Sequence, residues 1–274
     1  MPELAKTVLD DIIALRRRRI QEAQMRVPLG LLEQAAEKRS DYRDFARAIS
    51  GENLRVIAEL KPASPSRGVL CQEYNPGEMA RGYESAEASA LSVLTEKDFF
   101  GGSLEDLQAA RGAVQLPVLR KDFILDPYQV YESVAAGADA LLLIVAALSD
   151  AELRDLLGLC ARVGIAALVE VHTEAELDRA LAADARIIGA NNRDLRTFEV
   201  NLETSFRLRP KIPPRCLAVS ESGIKTAVDL RRLSEAGFDA VLIGERFMTE
   251  ADPGKALADL LRLVSEGARP VSEQ

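Results

Sequence analysis

Eight short apolar runs, separated by helical patterns with readable starts and stops, predict an α/β fold with a parallel sheet. The runs fall at 56–60, 91–95, 117–121, 140–145, 166–170, 187–190, 216–220 and 240–243. They are apolar on both faces, as strands covered by helices require. Eight is the number that closes such a sheet, so the expected architecture is a (β/α)8 barrel with an N-terminal helical extension. An internal echo agrees with closure. Ala136-Gly137-Ala138-Asp139-Ala140-Leu141-Leu142 resembles Ala236-Gly237-Phe238-Asp239-Ala240-Val241-Leu242, and the two copies enter the fourth and eighth runs, half a barrel apart. An open doubly wound sheet usually carries a G-x-G-x-x-G turn after its first strand, and none is present. Residues 1–274 read as one barrel domain, with 1–50 as the extension.

In the extension, Leu4, Val8, Ile12, Ile13 and Leu15 recur at roughly helical spacing. The run Arg16-Arg17-Arg18-Arg19 reads as a solvated helix face with ion pairs to acids of the same helix, in preference to a nucleic-acid contact. Pro28 breaks the pattern, and Leu29 to Ala36 begins another helix. After Val56 seven helices announce themselves by a side-chain oxygen ahead of an acidic first turn or a proline: Asn75, Ser103, Asp126, Ser149, Thr173, Thr226 and Asp252. Such oxygens satisfy backbone N–H groups that lack helical partners. Gly137, Gly164 and Gly237 mark stops.

Composition narrows the function. The net charge of -8 argues against a general nucleic-acid or anionic-membrane surface. Cys71, Cys160 and Cys216 are far apart, which suits a reducing compartment and leaves no C-x-x-C pair. A single histidine, His172, excludes a histidine-rich metal site. No apolar stretch reaches membrane-spanning length, and no signal-peptide pattern opens the chain. The expected location is the cytoplasm, with no membrane and no nucleic-acid partner.

A barrel of this kind keeps its active site at the C-terminal ends of its strands. The first run ends in Glu59-Leu60-Lys61-Pro62-Ala63-Ser64-Pro65-Ser66. Strand side chains alternate, so Glu59 and Lys61 share a face. A structural ion pair and a proton-transfer pair both fit that stretch. With Lys121, Glu170, Asn191 and Arg193 they make a site dense in charge. Lysines crowded together or in apolar surroundings are expected to lose proton affinity and become useful acids. Phe100, Phe123 and Leu195 could supply an apolar wall. His172 reads as a loop or supporting residue. Glu221-Ser222-Gly223-Ile224 and Leu242-Ile243-Gly244-Glu245 offer small residues and free N–H groups in adjacent loops, a phosphate cradle at Ser222, Gly223, Gly244 and Glu245.

Seven motifs in order then carry a family resemblance. Beside the first-strand motif they are Leu94-Thr95-Glu96 with Phe100, Leu119-Arg120-Lys121-Asp122-Phe123-Ile124, Leu168-Val169-Glu170-Val171-His172, Gly189-Ala190-Asn191-Asn192-Arg193-Asp194-Leu195, Ser220-Glu221-Ser222-Gly223-Ile224 and Leu242-Ile243-Gly244-Glu245. From about residue 4 to 265 the chain resembles indole-3-glycerol-phosphate synthase, an enzyme of tryptophan biosynthesis. The resemblance implies a carboxy-lyase without metal or organic cofactor. Its substrate is 1-(2-carboxyphenylamino)-1-deoxyribulose 5-phosphate, and its products are indole-3-glycerol phosphate, CO2 and water.

By the same resemblance Lys121 is the general acid of ring closure. Glu170 and Lys61 move protons, mainly in dehydration, and Glu59 assists. Lys61 and Asn191 hold polar groups of the substrate, Arg193 answers charge near its carboxylate, and Ser64 supports the first loop. Phe100, Phe123 and Leu195 flank the aryl ring. Two positions depart from the family's pattern: Pro62, where a basic or polar residue is common, and Arg246, where a small residue is common. The barrel alone would also allow another phosphosugar enzyme, such as phosphoribosylanthranilate isomerase, or a non-catalytic barrel binding a phosphorylated metabolite. The lysine pair and the Asn-x-Arg motif favour the synthase. A monomer or weak homodimer, with no fused second enzyme, is expected.

Overall fold

The computed structural model describes residues 7–65, 67–194 and 199–267. The predicted runs form eight parallel strands: β1 Arg55–Leu60, β2 Ala90–Leu94, β3 Val118–Lys121, β4 Ala140–Ile144, β5 Ala166–Val171, β6 Ile187–Asn191, β7 Leu217–Glu221 and β8 Ala240–Ile243. β1 pairs with both β2 and β8, which closes the barrel and leaves no sheet edge. After β1 the chain forms a small antiparallel hairpin, Ala63–Ser64 against Gly68–Val69.

The extension supplies helices α1 Val8–Arg26, α2 Leu29–Lys38 and α3 Phe45–Ala48. The outer ring is α4 Pro76–Ser85, α5 Leu104–Ala113, α6 Pro127–Ala135, α7 Asp150–Val163, α8 Glu174–Ala182, α9 Glu203–Leu208, α10 Ala227–Glu235, α11 Glu245–Met248 and α12 Pro253–Gly267. Asn75, Ser103, Asp126, Ser149, Thr173 and Thr226 all accept a backbone N–H of the helix they precede. Gly164 ends α7 with φ 79, a left-handed conformation that glycine adopts without steric cost. The sequence reading named no start for α9, and its N-cap residue Leu202 makes no side-chain bond.

Two apolar clusters divide the core. One lies between the strands and the helices and includes Val56, Leu91, Leu141, Val169, Ile188 and Val241. The other fills the barrel, with Ile57, Leu119, Leu168 and Val219 from the odd-numbered strands in one layer. Four side chains from alternate strands make each layer of such a barrel. Phe45 and Ile49 of the extension join this interior cluster, and so do Leu9 and Ile12 of α1 with Phe123. Burying each such side chain contributes about 1.5–3 kcal/mol. The extension therefore packs with the barrel as one core.

Polar contacts hold α1 on the loops at the C-terminal ends of the strands. Arg16 reaches Asp122 at 2.6 Å, Arg17 reaches Glu152 at 3.3 Å, and Arg19 reaches Asp98 at 2.7 Å. The arginine run was expected to pair within its own helix. Only Arg19 with Glu22 does so among the described pairs. Helical spacing cannot reveal a partner that lies about a hundred residues downstream. No described helix is long and apolar enough to cross a membrane.

Candidate active site

Two residues beyond the layer of Ile57, Leu119, Leu168 and Val219 stand Glu59, Lys121, Glu170 and Glu221. Alternation turns these four to the same interior, so the next layer toward the C-terminal ends is three carboxylates around one lysine. All three carboxylates are buried. Lys121 Nζ lies 3.0 Å from Glu170 Oε2 and 3.6 Å from Glu221 Oε2. Lys61, directly after β1 and two residues beyond Glu59, pairs with Glu59 at 2.9 Å.

Charge competition decides the protonation states. Burial alone would lower the proton affinity of Lys121, but Glu170, Glu221 and Glu59 outweigh it and raise it. From sequence alone a buried lysine is expected to shift the opposite way; the carboxylate cage reverses it. Burial likewise opposes ionisation of Glu170, yet Lys121 and His172 hold its carboxyl well below the usual range. Glu221 is left with the least support. Neither of its oxygens has a hydrogen-bond partner among the described residues. Burial, opposed only in part by Lys121 and reinforced by Glu170 and Glu59, pushes its carboxyl up to about 8. Its carboxyl therefore keeps its proton to a higher pH than that of Glu170 does.

Two glycines make room for this layer. A Cβ at Gly189 in β6 would stand 2.0 Å from Glu221 Oε1. A Cβ at Gly244, directly after β8, would stand 2.3 Å from Glu59 Oε1. Bulk at Gly244 therefore strikes the Glu59–Lys61 pair as well as the loop read as a phosphate cradle.

The surrounding loops are built by buried polar residues. Asp122 Oδ2 accepts from Arg16, from Arg120 at 3.0 Å and from Thr95 at 2.5 Å, while Oδ1 accepts the N–H of Phe123 at 2.8 Å. Glu96 accepts the N–H groups of Asp98, Phe99 and Phe100 and so shapes the turn that presents Phe100. Phe100 and Phe123 then face each other at 6.3 Å between centroids, tilted by 38°. Ala63 donates to the Phe100 carbonyl, which ties the first loop, with buried Ser64, to this wall. The third expected wall residue, Leu195, lies outside the described residues.

Asn191 Oδ1 accepts the N–H of Arg193 at 3.0 Å. Asn192 donates to the carbonyls of Glu221 and Ser222 and to Ser220 Oγ. It thereby fixes the end of β7. There Ser222 and Gly223 are left-handed in succession, with φ 67 and 79. A left-handed non-glycine residue costs about 1–3 kcal/mol, so this turn is held against strain. Glu245 does not stand alone beside it. Its carboxylate bridges Arg193 at 2.9 Å and Arg67 at 2.9 Å. Arg193 therefore reaches toward the Glu245 end of the site.

The charged cage, the aromatic pair and the ends of β7 and β8 line one cavity of about 580 Å³. Glu59, Lys61, Lys121, Glu170 and Glu221 form its floor, with Phe100 and Phe123 on its wall. Ser222, Gly223, Gly244 and Glu245 border it together with the cations Lys225 and Arg246. Glu221 is the member that sequence reasoning passed over. It lies inside a stretch read as a phosphate turn, and its two-residue offset from Val219 is the signal that places it in the same layer as Lys121.

A closed parallel barrel with a lysine–carboxylate cage, an aromatic wall and a small-residue rim defines the class: a (β/α)8 enzyme for a small phosphorylated substrate. Comparison makes this particular. The profile of the indole-3-glycerol phosphate synthase family matches residues 9–260, and the chain belongs to that family. It is 49% identical over 260 residues to the indole-3-glycerol phosphate synthase of a Polaromonas species, covering 93% of this chain and 98% of the relative. Identity to the enzyme of that name from Dehalococcoides mccartyi is 48% over 262 residues, with coverage of 94% and 99%. Among solved structures, 3-hexulose-6-phosphate synthase from Salmonella typhimurium aligns with TM-score 0.62 at 12% identity, over 78% of this chain and 99% of that one. That likeness concerns the fold alone.

Proposed function

We propose that this cavity performs the family's ring closure, decarboxylation and dehydration with Lys121 as the acid of the first step. The observation that carries the reading is the cage: one lysine, 3.0 Å from Glu170, in a layer of buried carboxylates beside the Phe100–Phe123 wall. As the aryl carbon of 1-(2-carboxyphenylamino)-1-deoxyribulose 5-phosphate attacks the ketone, the ketone oxygen gains negative charge. A lysine held firmly charged serves first as a fixed cation on that oxygen. It releases its proton as the alkoxide becomes basic. Arginine holds its proton too tightly for that second act.

Loss of CO2 returns an electron pair to the ring. Dehydration then needs one group to protonate the departing hydroxyl and another to accept the proton released. In this reading Glu170, ionised, is the acceptor. Lys61, paired with Glu59, is the donor, and neutral Glu221 is a second acid of the same layer. Asn191, Arg193 and Ser64 orient polar groups, and Phe100, Phe123 and Leu195 flank the aryl ring. Ser222, Gly223, Gly244 and Glu245 receive the phosphate through backbone groups. Residues 1–50 belong to the one working barrel domain, taken as a cytoplasmic monomer or weak homodimer; sedimentation at assay concentration checks the assembly.

The test is product formation by the purified protein, followed by indole absorbance, with Lys121→Arg beside it. Turnover in the parent and a kcat lower by at least about 10²-fold in the variant are expected. Near-normal turnover by Lys121→Arg, with Lys61→Arg dead at ring closure, would reverse the two lysines' roles.

A further inference from the structure

His172 is the only histidine of the chain and follows β5 directly, two residues beyond Glu170. Its ring is mostly buried and lies between two carboxylates. Nδ1 is 3.0 Å from Glu176 Oε2 on α8, and Nε2 is 3.3 Å from Glu170 Oε1. The same Glu176 oxygen accepts the His172 backbone N–H at 2.7 Å, so ring and main chain are held from one side. A ring nitrogen that faces a carboxylate must carry hydrogen, because a lone pair there would repel the oxygen. Nε2 and Glu170 Oε1 are both without a hydrogen-bond partner among the described residues, so their approach is an electrostatic contact, and the acid oxygen at each nitrogen favours the imidazolium.

Glu170 meets its two cations on different oxygens. Oε2 accepts from Lys121, while Oε1, without a hydrogen-bond partner among the described residues, faces the histidine. Ring closure as read above draws Lys121 away from Glu170 to the ketone. A buried carboxylate left without a cation at that moment would take up a proton and cease to be a base. We propose that His172, clamped by Glu176, is a positioning residue whose charged ring keeps Glu170 ionised and oriented while Lys121 serves the substrate. This rests on the assignment of Glu170 as the proton acceptor.

The other charges facing the pair are Lys121 from β3, Glu221 from β7, and Glu59 from β1 with its Lys61. Arg207 of α9 donates to the His172 carbonyl oxygen. β4 and β6 bring Ile144 and Asn191 to the cavity, neither of which titrates. Burial would lower the proton affinity of the ring, but Glu170 and Glu176 outweigh it and lift it to about 10.

One histidine means that imidazole ¹⁵N resonances of the intact, labelled enzyme need no assignment. Imidazolium shifts that persist through about pH 8 are expected from two flanking carboxylates; a neutral tautomer at pH 7 overturns the inference. His172→Asn keeps an amide donor near the Nδ1 position and removes the charge. The acid limb of its kcat profile should move up by about one pH unit or more, with KM little changed. An unmoved limb overturns the positioning role. Should that variant fail to fold, Glu176→Gln decides, since it keeps the shape and removes only the charge. Its histidine should titrate at lower pH, and kcat should fall where the ring turns neutral; an unmoved resonance overturns the clamp. Normal turnover by Glu170→Gln is a different failure, refuting the base assignment itself and the inference with it.

Discussion

Replacing Gly189 with alanine is expected to disable the enzyme without replacing any ionisable group. The new Cβ would lie 2.0 Å from Glu221 Oε1, 3.2 Å from its Cδ and 3.3 Å from Leu168 Cδ1. Leu168 is fully buried and cannot yield, and Glu221 is equally enclosed. The carboxyl group must therefore retreat by about 1 Å, a displacement that in an active site costs on the order of 10²-fold in rate. Overpacking of this kind also costs about 1–3 kcal/mol of stability. For a chain of this size each of those kcal/mol lowers Tm by roughly 2–4 °C. Steady-state kinetics and thermal melts measure both effects. A Gly189→Ala/Glu221→Ala double variant makes room for the added methyl, so its stability loss should be smaller than the sum of the single losses. Normal kcat and Tm in Gly189→Ala, or strict additivity in the double variant, would refute the packing argument.

Other outcomes follow from the same geometry. Glu221, with its carboxyl pushed up to about 8, is protonated below that pH and loses the proton above it. The alkaline limb of kcat is expected there, and Glu221→Gln should give a lower profile that lacks it; an unchanged limb assigns it to another group. Gly244→Ala should lower kcat as well as weaken inhibition by inorganic phosphate, because its Cβ meets Glu59 at 2.3 Å. A pure binding defect would mean that Glu59 moves aside at no cost. Arg16→Ala removes one of the charged partners of buried Asp122 and should cost about 1.5–3 kcal/mol, read in a denaturant melt. It should also raise KM, since Asp122 anchors Phe123 of the aryl wall.

The barrel was legible because its evidence is local. Each strand is a short apolar run, and six of the caps are a named oxygen ahead of a helix. The positions of Glu59, Lys61, Lys121 and Glu170 were equally legible, since alternation along a strand fixes which side chains share a face. Less legible was everything that depends on neighbours from other strands. The proton affinity of Lys121 rises because three acids from β1, β5 and β7 surround it, and no single motif contains all three. The arginine run of α1 ends on Asp122, Glu152 and Asp98, which no helical periodicity announces.

Glu221 shows why one physical rule, applied across strands, reaches further than motif reading. Read within Ser220-Glu221-Ser222-Gly223, it looks like the entrance to an anion-binding turn, where its charge would be out of place. Counted two residues beyond Val219, it completes a ring with Glu59, Lys121 and Glu170. That ring holds more carboxylates than its single lysine can satisfy. Lys61 relieves Glu59 at 2.9 Å, and His172 relieves Glu170 at 3.3 Å. Glu221 has only its 3.6 Å approach to the shared Lys121, so the surplus proton settles there. Under the proposed roles the layer offers a charged lysine, an ionised Glu170 and, in Glu221, a carboxyl that keeps its proton to higher pH. Their separation comes from which carboxylate has a second cation of its own.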